Sequence, residues 1–191
     1  MKAIDLAGFE RKFAGNDDPW RTFTDRDEAH KRAAILHGLG SGPVGRVLEL
    51  AAGNGSNSVP LARLALRLDA TEGTPAGTDL VARAVGDNDR VRVCQLVLPG
   101  RFPARVYDHA IVAEVLYYLS ICAMAQVARD VASALRRGGR LILAHHRVDY
   151  PDFVQHAHGI HGRFLRETGV SWCRETDVRT GRWRVQSYVR R

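Results

Sequence analysis

The sequence predicts an α/β fold: a doubly wound, mostly parallel seven-stranded sheet with a C-terminal antiparallel hairpin and a short N-terminal helical cap. Three observations predict it. Short apolar runs alternate with helical-period segments along the chain, the pattern of strand–helix–strand crossovers. The run Val47-Leu48-Glu49-Leu50 passes straight into a glycine-rich turn, Ala51-Ala52-Gly53-Asn54-Gly55-Ser56, and parallel sheets hold ligands at that carboxyl edge. Trp172–Asp177 and Arg182–Val189 flank the turn Arg179-Thr180-Gly181 and read as a hairpin that supplies an antiparallel edge strand.

The elements follow in order. Residues 1–20 start helical and break at Asn16-Asp17-Asp18-Pro19, opening a cap that extends to residue 43. Thr24 resembles a helix cap with an acid, Asp27, three positions on. Ala29, Ala33 and Leu36, with Ile35 and Leu39, recur at helical spacing until the glycines between Gly38 and Gly45 end the helix. Val47–Leu50 is a buried strand. Ser58 with Pro60 marks the next helix start, proline being tolerated in the first turn. Leu66–Thr71 is the second strand, ending at Glu72, and Asp79–Val85 is helical. Val91–Val97 and Tyr107–Ala113 are the third and fourth strands. Ser120 caps a helix whose Met124, Val127, Ala128, Val131 and Leu135 form one core-facing stripe, with Gly138-Gly139 as its end. Arg140–Ala144 is the fifth strand, and Phe153–Thr168 is helical. The chain divides into the cap (1–43), a cofactor-binding core (44–150) and a substrate-side helix with the hairpin (151–191), all within one domain.

Composition narrows the function classes. A chain of 191 residues buries roughly 70% of its unfolded surface without staples. Its apolar runs fall far short of the about 20 residues that span a bilayer, and Met1 to Phe13 is too charged for a secretory signal core. A cytoplasmic location is therefore the default expectation, with no membrane partner. Cys94, Cys122 and Cys173 are odd in number and widely spaced, so they read as small buried hydrophobes rather than a disulfide framework or metal site. His156, His158 and His161 lack the further ligands that a metal needs, and no metal is expected. The net charge is +7. With no basic run interleaved with stacking aromatics, nucleic acid is a poor candidate. A homodimer or an acidic carrier-protein partner stays open.

The glycine turn indicates the cofactor. No Gly-x-x-x-x-Gly-Lys-Ser/Thr segment occurs, and a Gly-x-Gly-x-x-Gly pattern fails at Ser58. An acid inside the first strand, Glu49, and a second acid at the end of the second strand, Glu72, suit a nucleotide-type cofactor whose ribose hydroxyls Glu72 takes. These residues resemble class I S-adenosylmethionine-dependent methyltransferases: Glu49, then Ala51 where a first glycine is usual, then Gly53, Gly55 and Glu72. Glu114-Val115-Leu116-Tyr117-Tyr118-Leu119-Ser120, Leu135-Arg136-Arg137-Gly138-Gly139-Arg140-Leu141 and Asp18-Pro19-Trp20-Arg21 narrow the resemblance to the nodulation-protein-S group, whose namesakes N-methylate an amino sugar. It is clearest over residues 9 to 150.

The resemblance implies S-adenosylmethionine as cofactor and S-adenosylhomocysteine as product. The glycine loop then meets the methionine part and ribose, Glu49 orders the loop and the amino group, and Glu72 binds the ribose hydroxyls. Separately from the resemblance, Trp20, Arg21 and Phe23 either line a lid over the ligand or anchor the cap to the sheet, and Glu114 is a further candidate cofactor contact. The family's usual aspartate after the third strand is absent from Gln95-Leu96-Val97-Leu98-Pro99. Either Leu96 and Val97 hold adenine through backbone groups and apolar contacts, or cofactor affinity is weak.

Methyl transfer is an in-line displacement to which an enzyme contributes positioning, and a base where the nucleophile arrives protonated. Residues just beyond strands four and five face the acceptor: Glu114, Tyr117 and Tyr118, then His145, His146 and Arg147. His145 is the preferred base because histidine titrates near neutral pH, and strand alternation lets only one of His145 and His146 reach the substrate. Glu114 steers an amine or orients the following helix. Tyr117, Tyr118, Arg147 and His158 are the candidate acceptor contacts. The reading is an N- or O-methyltransferase acting on a small sugar-, peptide- or natural-product-like metabolite. The alternative is a catalytically reduced cofactor-binding or interaction module of the same fold.

Overall fold

The computed structural model describes residues 3–191, so Met1 and Lys2 lie outside the described residues. In chain order the elements are α1 (Leu6–Gly15), α2 (Arg26–Leu39), β1 (Val44–Leu50), α3 (Ser58–Leu64), β2 (Ala65–Glu72), α4 (Pro75–Val85), β3 (Val91–Gln95), β4 (Tyr107–Ala113), α5 (Ile121–Ala134), β5 (Leu135–His146), α6 (Ile160–Glu167), β6 (Trp172–Arg179) and β7 (Trp183–Arg190). A 3₁₀ turn, Leu116–Tyr118, lies between β4 and α5. The strands form a seven-stranded sheet in the order β3-β2-β1-β4-β5-β7-β6. β1 to β5 are parallel, and β7 runs antiparallel to both of its neighbours. The hairpin expected from the sequence is therefore present, with its second strand inserted against β5 and its first at the edge.

Alternation along the strands builds two cores. Val47, Ala70, Ile111, Ile142 and Ala144 face Ile35 and Leu39 of α2, Leu61 of α3 and Val81 of α4. Leu48, Leu50, Val112, Leu141 and Leu143 face Met124, Val127 and Val131 of α5 and Phe164 of α6. Both faces of the central strands are covered, which explains their near-continuous apolar runs.

Several boundaries differ from the sequence reading, each for a local reason. Asp25 rather than Thr24 caps α2, its carboxylate accepting from the Asp27 N–H at 2.7 Å. α4 begins a full turn before Asp79, because the Thr74 hydroxyl caps it at Gly77 and Pro75 occupies its first turn. β3 stops at Gln95, so Leu96 and Val97 leave the sheet. α5 ends at Ala134 and passes directly into β5. Gly138 and Gly139 thus lie within that strand near a register shift against β4, and a Cβ on Gly139 would stand 2.8 Å from the Asp108 carbonyl oxygen. Residues 153–159 form turns, which shortens the expected helix to α6. Cys122 is exposed, and Cys94 and Cys173 are half-buried rather than fully buried.

Alternation also separates the paired histidines. His145 follows Leu141 and Leu143 toward α5 and α6, whereas His146 follows Ile142 and Ala144 toward α2. His145 is 1% exposed and belongs to a buried hydrogen-bonded chain. The Leu116 N–H donates to its Nε2 at 3.2 Å, its Nδ1 lies 3.1 Å from Nε2 of His161, and Nδ1 of His161 lies 2.8 Å from Oε1 of Gln186. The Gln186 amide donates onward to Asp177. Since Nε2 of His145 accepts, each ring carries its proton on Nδ1 and both are neutral. Burial holds His145 well below the usual histidine range and lowers His161 to about 4. A lowered folded-state value costs stability as pH falls from 6.5 toward 4, because the unfolded chain then binds the extra proton. The destabilisation caused by His161→Gln should therefore shrink by about 1.4 kcal/mol per pH unit over that window, measured by chemical denaturation at a series of pH values.

Candidate active site

A cleft of about 590 Å³ opens at the carboxyl edge of the sheet, where strand order reverses between β1 and β4. Ala51, Ala52, Gly53 and Asn54 form one wall, Glu72, Gly73, Leu96 and Val97 a second, and α2 with Glu114 and His146 a third. Phe9, Phe13, Trp20 and Tyr118 lie over them.

The glycine loop is shaped by its backbone. Ala51, Gly53 and Gly55 all have positive φ, at 52°, 64° and 85°, the region that favours glycine. A Cβ on Gly55 would stand 2.9 Å from that of Ala84 on α4, whereas a Cβ on Gly53 would meet nothing nearer than Phe13 at 3.8 Å. Gly55 is thus required for packing, and Gly53 leaves its backbone open toward the cleft. Glu72 fastens the loop: its Oε2 accepts from the Gly53 N–H at 3.0 Å, and its Oε1 from the N–H and hydroxyl of Thr74 at 3.1 and 3.2 Å. Burial pushes its carboxyl up against the lowering effect of these bonds.

Glu49 lies beneath the loop and does not line the cleft. Its Oε2 accepts from the Ser58 hydroxyl at 2.6 Å, so Ser58 serves this carboxyl rather than capping α3. Its Oε1 is buried without a partner among the described residues, and burial raises the carboxyl to about 7.

The cap is tied to the same loop. The Asp18 carboxylate accepts from the N–H and hydroxyl of Thr22 at 2.6 and 2.9 Å and from the Asn54 amide at 2.9 Å. Trp20 lies against Phe9 and Phe13, with ring centroids 5.9 and 5.3 Å apart, and the Lys12 ammonium stands over its ring. The Asp-Pro-Trp-Arg segment thereby joins the cap to the glycine loop. Phe23 is exposed, and neither it nor Arg21 lines the cleft.

The third wall holds charges that the sequence reading missed. Lys31 is 4% exposed; its ammonium donates to Glu28 at 2.8 Å and to Glu114 at 2.5 Å. Glu114, at φ 53°, also accepts from the Tyr117 hydroxyl and from the His146 N–H. Opposed by burial, Lys31 still holds the Glu114 carboxyl below the usual range. Both its oxygens are engaged, so Glu114 positions its neighbours instead of acting as a base. The Nε2 of His146 stands 3.9 Å from an oxygen of each glutamate, and its Nδ1 is buried with no partner among the described residues.

The remaining candidates divide. Tyr117 and Tyr118 line the cleft, Tyr117 stacked on Phe153 at 3.7 Å between centroids and Tyr118 edge-on to Phe9 at 4.9 Å. His145 is removed from the cleft by strand alternation, which corrects the preference for it as base. Arg147 is exposed and its guanidinium donates to the Thr180 carbonyl at the hairpin turn. His158 is exposed in the 153–159 turns and likewise falls outside the cleft. His156 pairs with Asp149 at 2.6 Å, so the three nearby histidines do not converge.

The residues present fit S-adenosylmethionine. A doubly wound sheet with this loop and terminal acid defines a class I S-adenosylmethionine-dependent methyltransferase. Residues 6–167 match the family described as nodulation protein S (NodS), and the chain belongs to that family. No curated protein matches it in sequence. Among solved structures it is similar to the N-methyltransferase NodS of Bradyrhizobium japonicum WM9 in complex with S-adenosyl-L-homocysteine, with TM-score 0.84, 21% identity and 97% of each chain covered. It is also similar to a DhpI complex with S-adenosylhomocysteine, with TM-score 0.74 and 21% identity over 97% of this chain and 94% of that one. A methyltransferase from Pseudomonas syringae matches at TM-score 0.73 and 22% identity over 87% of this chain and 100% of that one. No helix among the described residues is long and apolar enough to cross a membrane.

The unpartnered oxygen of Glu49 gives a pH signature. Its raised folded-state value means that the folded protein holds the proton between pH 4.5 and about 7, and the associated stability is lost as pH rises through 7. Glu49→Gln should therefore gain stability relative to wild type by about 1.4 kcal/mol per pH unit across that range, followed by thermal unfolding of cofactor-free protein.

Proposed function

We propose that this enzyme transfers the methyl group of S-adenosylmethionine to the nitrogen of a small cationic amine. The charge of the cleft carries this reading. Among the described residues seven aspartates and glutamates border it against only Lys31 and Arg182, in a chain of net charge +7. Such segregation concentrates small cations at the site.

The bound cofactor supplies an electrophilic methyl group on a sulfonium. The chain's part is placement. Ala51 and Gly53 bring backbone close to the cofactor, and Glu49, buried beneath the loop, supports it from below through Ser58. Glu72 keeps a lone pair on Oε2 for a ribose hydroxyl, and Leu96 and Val97 flank the adenine. Trp20 and Phe9 exclude water above. An ammonium acceptor must lose a proton before its lone pair can attack, and His146, beside the two glutamates, is the group placed to take it. Tyr117 and Tyr118 shape the acceptor side.

Titration calorimetry with S-adenosylmethionine and S-adenosylhomocysteine tests the cofactor part. Glu72→Ala should weaken both by tenfold or more, since hydrogen bonds to a charged group contribute about 1.5–3 kcal/mol. Incubating the enzyme with matched panels of primary amines and alcohols, with products read by mass spectrometry, tests the acceptor part. Methylation of the alcohols alone would overturn the amine reading.

A further inference from the structure

Resting on that amine reading, we propose that Glu28 is the specificity-determining residue that holds the acceptor's ammonium group. The argument is one of charge and open lone pairs. On the α2 wall, two carboxylates, Glu28 and Glu114, share one ammonium, that of Lys31. The trio carries one uncompensated negative charge in a largely buried place, and a charge taken from water is stable there only when paired. Both oxygens of Glu114 are already engaged, one by Lys31 and the other by Tyr117 and the His146 N–H. Glu72 belongs to the cofactor wall, where Gly53 and Thr74 hold it. Glu28 uses only Oε1, toward Lys31, and no hydrogen bond to its Oε2 occurs among the described residues. Its side chain is 17% exposed and lines the cleft.

The neighbouring groups suit this role. His146 stands 3.9 Å from Oε1 of Glu28, so an ammonium seated on Glu28 lies beside a ring able to accept its proton. Once that proton has moved to His146, the neutral nitrogen keeps its lone pair for the methyl carbon, and the carbon–sulfur bonding pair leaves with sulfur. Lys31 is then a positioning residue. It fixes the Glu28 arm and limits the site to one further positive charge. A neutral alcohol of the same shape would leave the Glu28 charge uncompensated and be rejected.

Binding of n-butylammonium and n-butanol at pH 8, to protein saturated with S-adenosylhomocysteine, tests the assignment. Wild type should bind the ammonium at least tenfold more tightly than the alcohol. Glu28→Gln should bring that ratio near one, with S-adenosylhomocysteine affinity within twofold of wild type. Asp25→Asn, which changes another cleft carboxylate, should leave the ratio standing. A ratio near one in wild type, or no ammonium binding, would defeat the amine reading and this proposal with it. A wild-type preference that survives Glu28→Gln, or that collapses instead in Asp25→Asn, would overturn the Glu28 assignment alone. Should Glu28→Gln lose S-adenosylhomocysteine binding, Glu28→Asp decides: weaker ammonium binding with the preference retained supports the proposal, and unchanged ammonium affinity refutes it.

Discussion

One buried ammonium organises the α2 wall of the cleft. Lys31 reaches from α2 to Glu114, 83 residues away in sequence, while also holding Glu28 on its own helix. Breaking such a contact by removing one partner strands the other charge, which costs far more than the pair is worth when intact. The position of α2 against the sheet, the turn of the backbone at Glu114 and the orientation of Tyr117 are therefore set together. The third wall of the cleft is a consequence of that coupling.

The cofactor side depends on a different carboxylate with a similar task. Glu72 joins the loop after β1 to the start of α4, and Asp18 joins that loop to the cap through Asn54. Each loop at the carboxyl edge is thus held by a side chain from another segment. Loops alone are variable; these are fixed to one another and to the strands that carry them.

Much of this was legible in the sequence because it rests on short-range rules. Short apolar runs located all seven strands, and the glycine turn with its two acids fell at the carboxyl edge of the sheet, on the cleft. The errors arose where one local signal had two structural uses. Ser58 correctly marked the start of α3, but the sequence did not show that its hydroxyl serves a carboxylate nine residues back in the chain. Gly138-Gly139 looked like a helix end, yet the pair lies inside β5, Gly138 at positive φ and Gly139 where a Cβ would crowd the backbone. His145 and His146 were correctly expected to point opposite ways. Counting alternation from Ala144, on the α2 side, would have chosen His146. Glu28 and Lys31 were out of reach, because nothing in a helix with charges on several faces announces which pair turns inward to meet a residue after β4.

Ala51 shows a further economy. It occupies a backbone region where a methyl group is disfavoured by about 1 kcal/mol, at a position that most of its fold class gives to glycine. The methyl removes conformations that a glycine would sample in the unfolded chain and also in a loosely held loop. The ordering of this turn is thereby shifted from the moment of ligand capture to the moment of folding. With the cofactor placed as proposed, it meets a loop already in its receiving shape, and binding loses less entropy there than a glycine-only turn would require.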